Sequence, residues 1–409
     1  MQESPMCKRL DRFLYSNEWE LFFPQSLQEV LPRWTSDHWL IVLDTNPFKW
    51  GPTPFRFENM WLQHPSFKEC FSIWWREFEG NGWEGHRGLV LDNSESITEE
   101  ILLYFKKLYS SPPEESWRVE GRDWSPISEE SASRLDSPFF EEEIFNVVFR
   151  LDRDKASGPN GFTIAVFQDC WEVIKEDLVR VFAEFHSSGI INQSTNASFI
   201  VLLPKKSQTK KISDFRPISL ITCLYKVIAK VLSGRLRGVL HETIHSTQGA
   251  FVQGRQILDA VLIANEIVDE KRLSREEGVV FKIDFDKAYD HMNWDFLNHV
   301  LEKKGFSPKW RNWMRGCLSW VSYAILVNEN AKGWVKASRG LRQGDPLSSF
   351  LFTVVADVLS RMMLRAEERS LLEGFKVGRN RTRVPHLQFA DDTIFFSNSC
   401  AEELQTLKS

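Results

Sequence analysis

Apolar positions along this chain repeat with two different periods. Ile144, Val147, Val148 and Leu151 fall at helical spacing within Glu141–Leu151. Leu220, Ile221, Leu224, Val227, Ile228, Val231 and Leu232 continue the same spacing, and Pro217 suits the first position of that helix. Lys226, Lys230 and Arg237 fall off this stripe, on a face left to solvent or ligand. Thr98–Leu108, Trp294–Lys304 and Pro346–Glu368 read as further helices. Short apolar runs lie between them. Phe199–Leu203, closed by Pro204, and Val279–Phe285 read as strands. Tyr323–Val327 and Trp334–Ala337 read as a pair around Asn328 to Asn330, and Leu387–Phe396 as two strands about a tight turn. Helices mixed with hairpin-forming strands predict an α+β fold rather than a doubly wound sheet.

Composition divides the chain into three zones. Residues 1–83 hold eight of the sixteen tryptophans. Residues 84–150 are polar and acidic and read as a linker with short helices. Residues 151–409 open on the turn Lys155-Ala-Ser-Gly-Pro-Asn-Gly-Phe162 and carry the alternating elements. With 42% apolar and 26% charged residues, global disorder is excluded. No apolar run reaches the roughly 18 residues of a membrane span. The start, Met-Gln-Glu-Ser-Pro-Met-Cys-Lys, lacks the apolar core of a secretory signal. The expectation is an intracellular protein, in nucleus or cytoplasm, with no membrane partner. Six scattered cysteines show no zinc or disulfide spacing.

The net charge of −5 does not look like a nucleic-acid binder. The average hides an asymmetry. Residues 205–237 hold nine Lys or Arg against one acid, Asp214, a net of +8. Such a segment can grip phosphates, or it can be the solvated face of a helix.

Two carboxylate clusters stand out. Asp284-Phe-Asp286 ends the run at Val279–Phe285, and Asp391-Asp392 interrupts Phe389-Ala-Asp-Asp-Thr-Ile-Phe-Phe396. Strand side chains alternate faces, so an adjacent Asp pair needs a turn before both approach one site. Two carboxylates about 4 Å apart repel by roughly 4 kcal/mol at an effective dielectric of 20. A divalent cation cancels that repulsion, and oxygen donors suit Mg²⁺. The alternative is a plain surface turn, with Asp286 paired to Lys287. The flanking Phe389, Ile394, Phe395 and Phe396 argue against a solvated turn. Between the clusters lies Gly340-Leu-Arg-Gln-Gly-Asp-Pro-Leu-Ser348, whose glycines let backbone approach a ligand.

Taken in order, these residues resemble the reverse transcriptase domain of non-LTR (LINE-type) retroelements. Leu203-Pro-Lys-Lys206 and Asp214-Phe-Arg-Pro-Ile-Ser-Leu220 resemble its fingers segment. Gln248-Gly-Ala-Phe-Val-Gln-Gly-Arg255 resembles the next signature, and Lys282-Ile-Asp-Phe-Asp-Lys-Ala-Tyr-Asp290 the first catalytic motif. Gly340–Ser348 resembles the template-positioning motif, and Phe389-Ala-Asp-Asp392 the second catalytic motif. Lys155–Phe162 resembles the family's opening motif, with Ser157 for Pro and Asn160 for Asp. The likeness covers about residues 125–400.

The resemblance implies a right-hand polymerase with fingers and an antiparallel palm sheet against packed helices. Asp284, Asp391 and Asp392 would form the catalytic triad. Asp284 and Asp391, with the Phe285 carbonyl, would hold two Mg²⁺ ions about 3.5–4 Å apart. The implied partners are an RNA template, a DNA primer and dNTPs. Lys205 and Arg216 would hold the triphosphate. Tyr289 would exclude a ribose 2′-hydroxyl, and Gln343 and Gly344 would lie under the nascent base pair. Lys206, Lys210, Lys211, Lys226, Lys230 and Arg255 would contact nucleic acid. Ala390 stands where viral RNA-dependent RNA polymerases typically carry Gly, and with Tyr289 it favours DNA synthesis.

Ser36-Asp37-His38, followed by Pro54-Phe-Arg-Phe-Glu-Asn-Met-Trp61, resembles the end of a LINE endonuclease, with Asp37 orienting His38. Only a remnant of such a domain is expected at 1–83, without nuclease activity. A chain that stops at Ser409 is expected to lack the thumb. The alternative function is therefore a catalytically inactive, truncated retroelement remnant that at most binds nucleic acid.

Overall fold

A computed structural model of the chain describes residues 27–31, 40–44, 94–111, 123–206, 212–274, 278–285, 287–328, 330–378 and 382–398. Strands β1 (Leu27–Leu31) and β2 (Leu40–Asp44) pair as an antiparallel hairpin. Five helices follow: α1 (Ser94–Leu108), α2 (Glu129–Leu135), α3 (Glu141–Arg150), α4 (Ile164–Asp169) and α5 (Trp171–Ser188). Then come β3 (Ala197–Pro204), β4 (Phe215–Ile221), α6 (Cys223–Arg237), α7 (Leu240–Thr243) and α8 (Ile257–Ser274). The next elements are β5 (Val279–Asp284), α9 (Trp294–Lys303), α10 (Pro308–Leu318), β6 (Ser322–Val327) and β7 (Asn330–Lys336). The long α11 (Ser348–Glu368) leads into β8 (Phe375–Val377), β9 (Thr382–Val384), β10 (His386–Phe389) and β11 (Asp392–Ser397).

The expected α+β class is observed. One sheet has the order β10-β11-β5 and is antiparallel throughout. A second has the order β4-β3-β6-β7, with β3 and β6 parallel and the other pairs antiparallel. Local chemistry sets the helix starts. Thr222 accepts from the N–H of Tyr225 to cap α6, and Asn293 accepts from Asp295 and Phe296 to cap α9. Ser307 caps α10 with Pro308 in its first turn.

The main core gathers α3 to α6 and α9 to α11 around Trp310 and Trp313, both fully buried. Each such side chain contributes about 2–3 kcal/mol of burial. Gly158 lets the Lys155–Phe162 turn press on the end of β4, where an added Cβ would sit 2.4 Å from the Ile221 carbonyl carbon. The Cys223 thiol then donates to the Phe162 carbonyl at 2.9 Å. A second core joins Phe105, Leu108 and Tyr109 of the α1 region to Ile200, Tyr323 and Ile325 of the four-stranded sheet. Residues 94–111 and 123–150, expected as a linker with short helices, do hold helices, but these pack into the cores.

Pro217 corrects another expectation. It lies in β4 opposite Leu202, not at the first position of a helix. As the edge of its sheet, β4 tolerates a residue without an N–H. The helix begins six residues later, at Cys223.

Candidate active site

The acids converge at one end of the three-stranded sheet. Antiparallel pairing of β5 with β11 sets Asp284 directly opposite Asp392, a relation that brings Cα atoms to about 5 Å. Phe389 pairs with Asp392, so Ala390 and Asp391 form the two-residue turn of the hairpin. Ala390 is left-handed, with φ +54°, as the first position of a II′-type hairpin turn demands. That turn is what lets neighbouring aspartates share one end of the sheet. The side chains of Asp284, Asp286, Lys210 and Lys211, and all of Asp37 and His38, lie outside the described residues.

The turn is held from behind by Gln248, which is fully buried. Its Oε1 accepts from the N–H of Ala390 at 3.1 Å and from that of Ala250 at 3.0 Å. Backbone bonds add Gly249 N–H to Gln388 O at 2.8 Å and Gln388 N–H to Thr247 O at 2.9 Å. Beneath them, Ser360 donates to Gln388 Oε1 at 2.9 Å, and His386 Nε2 meets Ser360 and Thr247 hydroxyls at 2.9 and 3.0 Å. Burial, aided by His245, lowers His386 to about 3, so this imidazole is neutral. The sequence marked Gln248 only as part of a motif. Its distance of more than 140 residues from the turn hid its role.

The turn after β5 is stitched to the Gly340–Ser348 loop. Leu341 N–H donates to Tyr289 O at 2.7 Å, and Gly340 N–H to Met292 O at 2.7 Å. Tyr289 stacks on Phe352 with ring centroids 4.7 Å apart and planes 13° apart. Burial pushes its phenol up, Ser349 opposes this by hydrogen bonding, and the Asp391 charge reinforces it. Asp290, buried, accepts from Tyr109 Oη at 3.1 Å and from Gln343 Nε2 at 3.5 Å. Gln343 O in turn accepts from Ser219 N–H of β4 at 2.8 Å. Gly344 has φ +100°, and an added Cβ would lie 3.2 Å from Ser219 O.

Below this loop runs a buried polar layer that the sequence left unassigned. Arg342 donates to the Cys317 carbonyl at 2.6 Å and to Asn196 Oδ1, and lies 3.9 Å over the Tyr225 ring. Tyr225 donates to Asp345 Oδ2 at 2.8 Å, and Asp345 Oδ1 receives Leu347 N–H at 2.8 Å. Burial raises the Asp345 carboxyl, opposed by Arg342. The signal available in sequence was a charged pair flanking Gln-Gly in a loop otherwise suited to turns.

The basic candidates divide. Lys205, Lys206, Arg216 and Lys230 are exposed. Lys206 pairs with Asp214 at 2.8 Å. Lys226, expected on an open face, is buried and donates to Ala156 O at 3.3 Å, because α6 is enclosed on most sides. Arg255 is likewise turned inward, its guanidinium donating to the carbonyls of Ile244, His245 and Gln248 at 3.0, 2.6 and 2.7 Å. Burial lowers the Lys230 ammonium, and the charges of Lys155 and Arg237 lower it further. Lys155, Lys230 and Arg237 thus place three cations near one another.

The donor set at the sheet end is oxygen only. Among the described residues Asp391 makes no ion pair, and Asp392 has one, with exposed Lys282 at 2.8 Å. Among the described residues the Phe285 carbonyl accepts one long bond, from Ala288 N–H at 3.3 Å. Aspartates at facing and adjoining strand positions on a partly exposed edge fit a hard divalent cation. Among the described side chains, which do not include that of Asp284, no cluster of three ligating groups occurs.

Comparison with known proteins gives the same direction. The family model described as reverse transcriptase (RNA-dependent DNA polymerase) matches residues 203–409. The chain is 28% identical over 322 residues to the Transposon TX1 uncharacterized 149 kDa protein of Xenopus laevis, covering 77% of this chain and 24% of that protein. It is 27% identical over 248 residues to the retrovirus-related Pol polyprotein from type-1 retrotransposable element R2 of Nasonia vitripennis, covering 60% and 22%. The corresponding R2DM polyprotein of Drosophila melanogaster is 25% identical over 341 residues, covering 78% and 29%. The chain thus spans about a quarter of the length of these relatives. Among solved structures, an apo telomerase from Candida tropicalis matches with 15% identity and a TM-score of 0.37, over 60% of this chain and 51% of that one.

Proposed function

The chain belongs to the reverse transcriptase (RNA-dependent DNA polymerase) family, in its LINE-type, non-LTR branch, and we propose that it transfers nucleotides from dNTPs to a DNA primer paired with an RNA template. The observation that carries this reading is the register that sets Asp284 opposite Asp392 and next to the Asp391 turn. Residues 151–409 would be fingers and palm. In the reaction the primer 3′-oxygen bonds to the α-phosphorus, the bond from that phosphorus to the bridging oxygen breaks, and pyrophosphate leaves with the hydroxyl proton passing to solvent.

Asp284, Asp391 and the Phe285 carbonyl would hold two Mg²⁺ ions, with Asp392 beside them. Bound there, the ions supply a lowered pKa at the 3′-hydroxyl and neutralise charge on the triphosphate. The chain's own part is positioning and field. Arg216 and Lys205 would orient the triphosphate from the β3–β4 hairpin. Tyr289, braced by Phe352 and Ser349, would close the space a 2′-hydroxyl needs. Gln343, fixed through Asp290 and β4, would define the floor under the base pair. The Lys155, Lys230 and Arg237 patch would hold backbone phosphates outside the centre.

Primer extension by the full chain on an oligo(dT)-primed poly(rA) template tests this. Incorporation should require Mg²⁺ and fall on the order of a thousandfold in Asp391→Asn. Extension that survives the substitution contradicts the assigned centre. Salt-sensitive RNA binding without incorporation by the unaltered chain would favour a chain that only binds nucleic acid.

A further inference from the structure

Phe251 combines two features that seldom coincide. Its backbone is left-handed, with φ +59°, a conformation sterically disfavoured for bulky residues. Its ring is not hidden in return, since the residue is 42% exposed. Burial of the ring therefore offsets little of the strain. Strained backbone persists only where its surroundings over-determine it, and here they do. Gln248 Oε1 receives the N–H of Ala250 at 3.0 Å. Arg255 fixes the other end through three carbonyls, and the flanking Ala250 and Val252 are both buried. The fold anchors everything around Phe251 and leaves the ring facing outward.

Its location gives that ring a purpose. The same Gln248 oxygen holds Ala390 in the Asp391 turn at 3.1 Å. The Phe251 ring lies 5.8 Å from that of Phe350, at 61°. Phe350 stands in the first turn of α11, between Ser349, which bonds Tyr289, and Phe352, on which Tyr289 stacks. Beyond it, Gly254 faces open space, with nothing within 4 Å of an added Cβ.

We propose that Phe251, backed by Phe350, is a stacking surface for a base of the single-stranded RNA template beside the catalytic turn. This rests on the polymerase reading above. One ring pair is far short of the several hundred Å² of apolar surface that marks a protein-docking face. It is the right size for one base, and aromatic stacking tolerates any base, as a template reader requires.

The test uses the full chain, without dNTPs, and a single-stranded RNA oligonucleotide carrying 2-aminopurine, whose emission is quenched on stacking. Phe251→Gly removes the ring and relieves the backbone, so Tm should rise by a few degrees while RNA affinity drops about 5- to 100-fold and quenching is lost. Phe251→Trp should keep affinity within about threefold and retain quenching. Phe251→Leu, which keeps apolar bulk without a π face, should lose quenching as the Gly variant does. Unchanged quenching in Phe251→Leu or Phe251→Gly overturns the proposal, whatever their stability. The two readings fail separately. A quenched, Phe251-dependent complex with no primer extension would leave this surface standing and remove the polymerase reading.

Discussion

Asp357 in the middle of α11 is wholly buried, and its carboxylate receives Lys304 Nζ at 2.6 Å, Arg361 Nε at 3.0 Å and His245 N–H at 2.7 Å. Asp391, at the turn between β10 and β11, is half-buried and makes no ion pair among the described residues. Both acids lie within the family-matched part of the chain, yet the protein completes the coordination of one and leaves the other without an ion pair among the described residues. Burial pushes the Asp357 carboxyl up, but Lys304 and Arg361 more than reverse this and hold it below the ordinary carboxylate range. Lys304 also donates to Thr243 O at 3.0 Å, and Arg361 to the same carbonyl at 2.8 Å. The knot ties α7, α9 and α11 together beneath the sheet that carries the Asp391 turn. An acid that stabilises is satisfied by its own chain. An acid that serves chemistry keeps lone pairs for a ligand, and the fold must brace it by other means, here Gln248 and the β5 register.

The largest expected effect exploits that contrast. Asp357→Ala leaves Lys304 and Arg361 buried without a counter-ion and should cost about 3–5 kcal/mol in urea unfolding. Asp391→Asn should change stability by less than about 0.5 kcal/mol, since Asp391 loses no ion-pair partner among the described residues. Similar losses for the two variants would break the comparison.

A smaller effect concerns pH. The folded state keeps His386 neutral down to about 3, while an unfolded histidine takes up a proton near 6.5. Its contribution is therefore complete above about pH 6.5 and is lost as pH falls from there towards 3, by up to about 1.4 kcal/mol per unit. The Asp357 contribution, from a lowered carboxyl, is lost only in the acid range as pH falls through its folded value. Urea titrations of the chain and of His386→Gln between pH 7 and 5 should differ in slope, the variant being flatter. Parallel slopes would assign the pH dependence elsewhere.

Much of the site was legible because its signals are local. Val279–Phe285 and Leu387–Phe396 announce strands by apolar runs, and acids inside such runs are conspicuous. What the sequence hid depends on distance. Pro217 looked like a helix start because nothing nearby reveals that Leu202 lies across from it in an edge strand. Lys226 looked solvent-facing because an apolar stripe gives only one face of α6, and the Ala156 carbonyl covers another. Arg255 looked like a phosphate ligand, yet three backbone carbonyls claim it. Arg342, Asp345, Asp357 and Lys304 are charged residues in the interior, a placement that only partners far along the chain make tolerable.

The central claim is that acids from β5 and from the β10–β11 turn serve one metal centre. Mn²⁺ can stand in for Mg²⁺ at such oxygen sites, and its free ion is counted by electron paramagnetic resonance. Titrating the full chain should show binding that weakens at least about tenfold in Asp284→Asn and in Asp391→Asn alike. Exposed Asp259→Asn should bind as the unaltered chain does. If Asp284→Asn retained full Mn²⁺ affinity while Asp391→Asn lost it, the two strands would not share a centre.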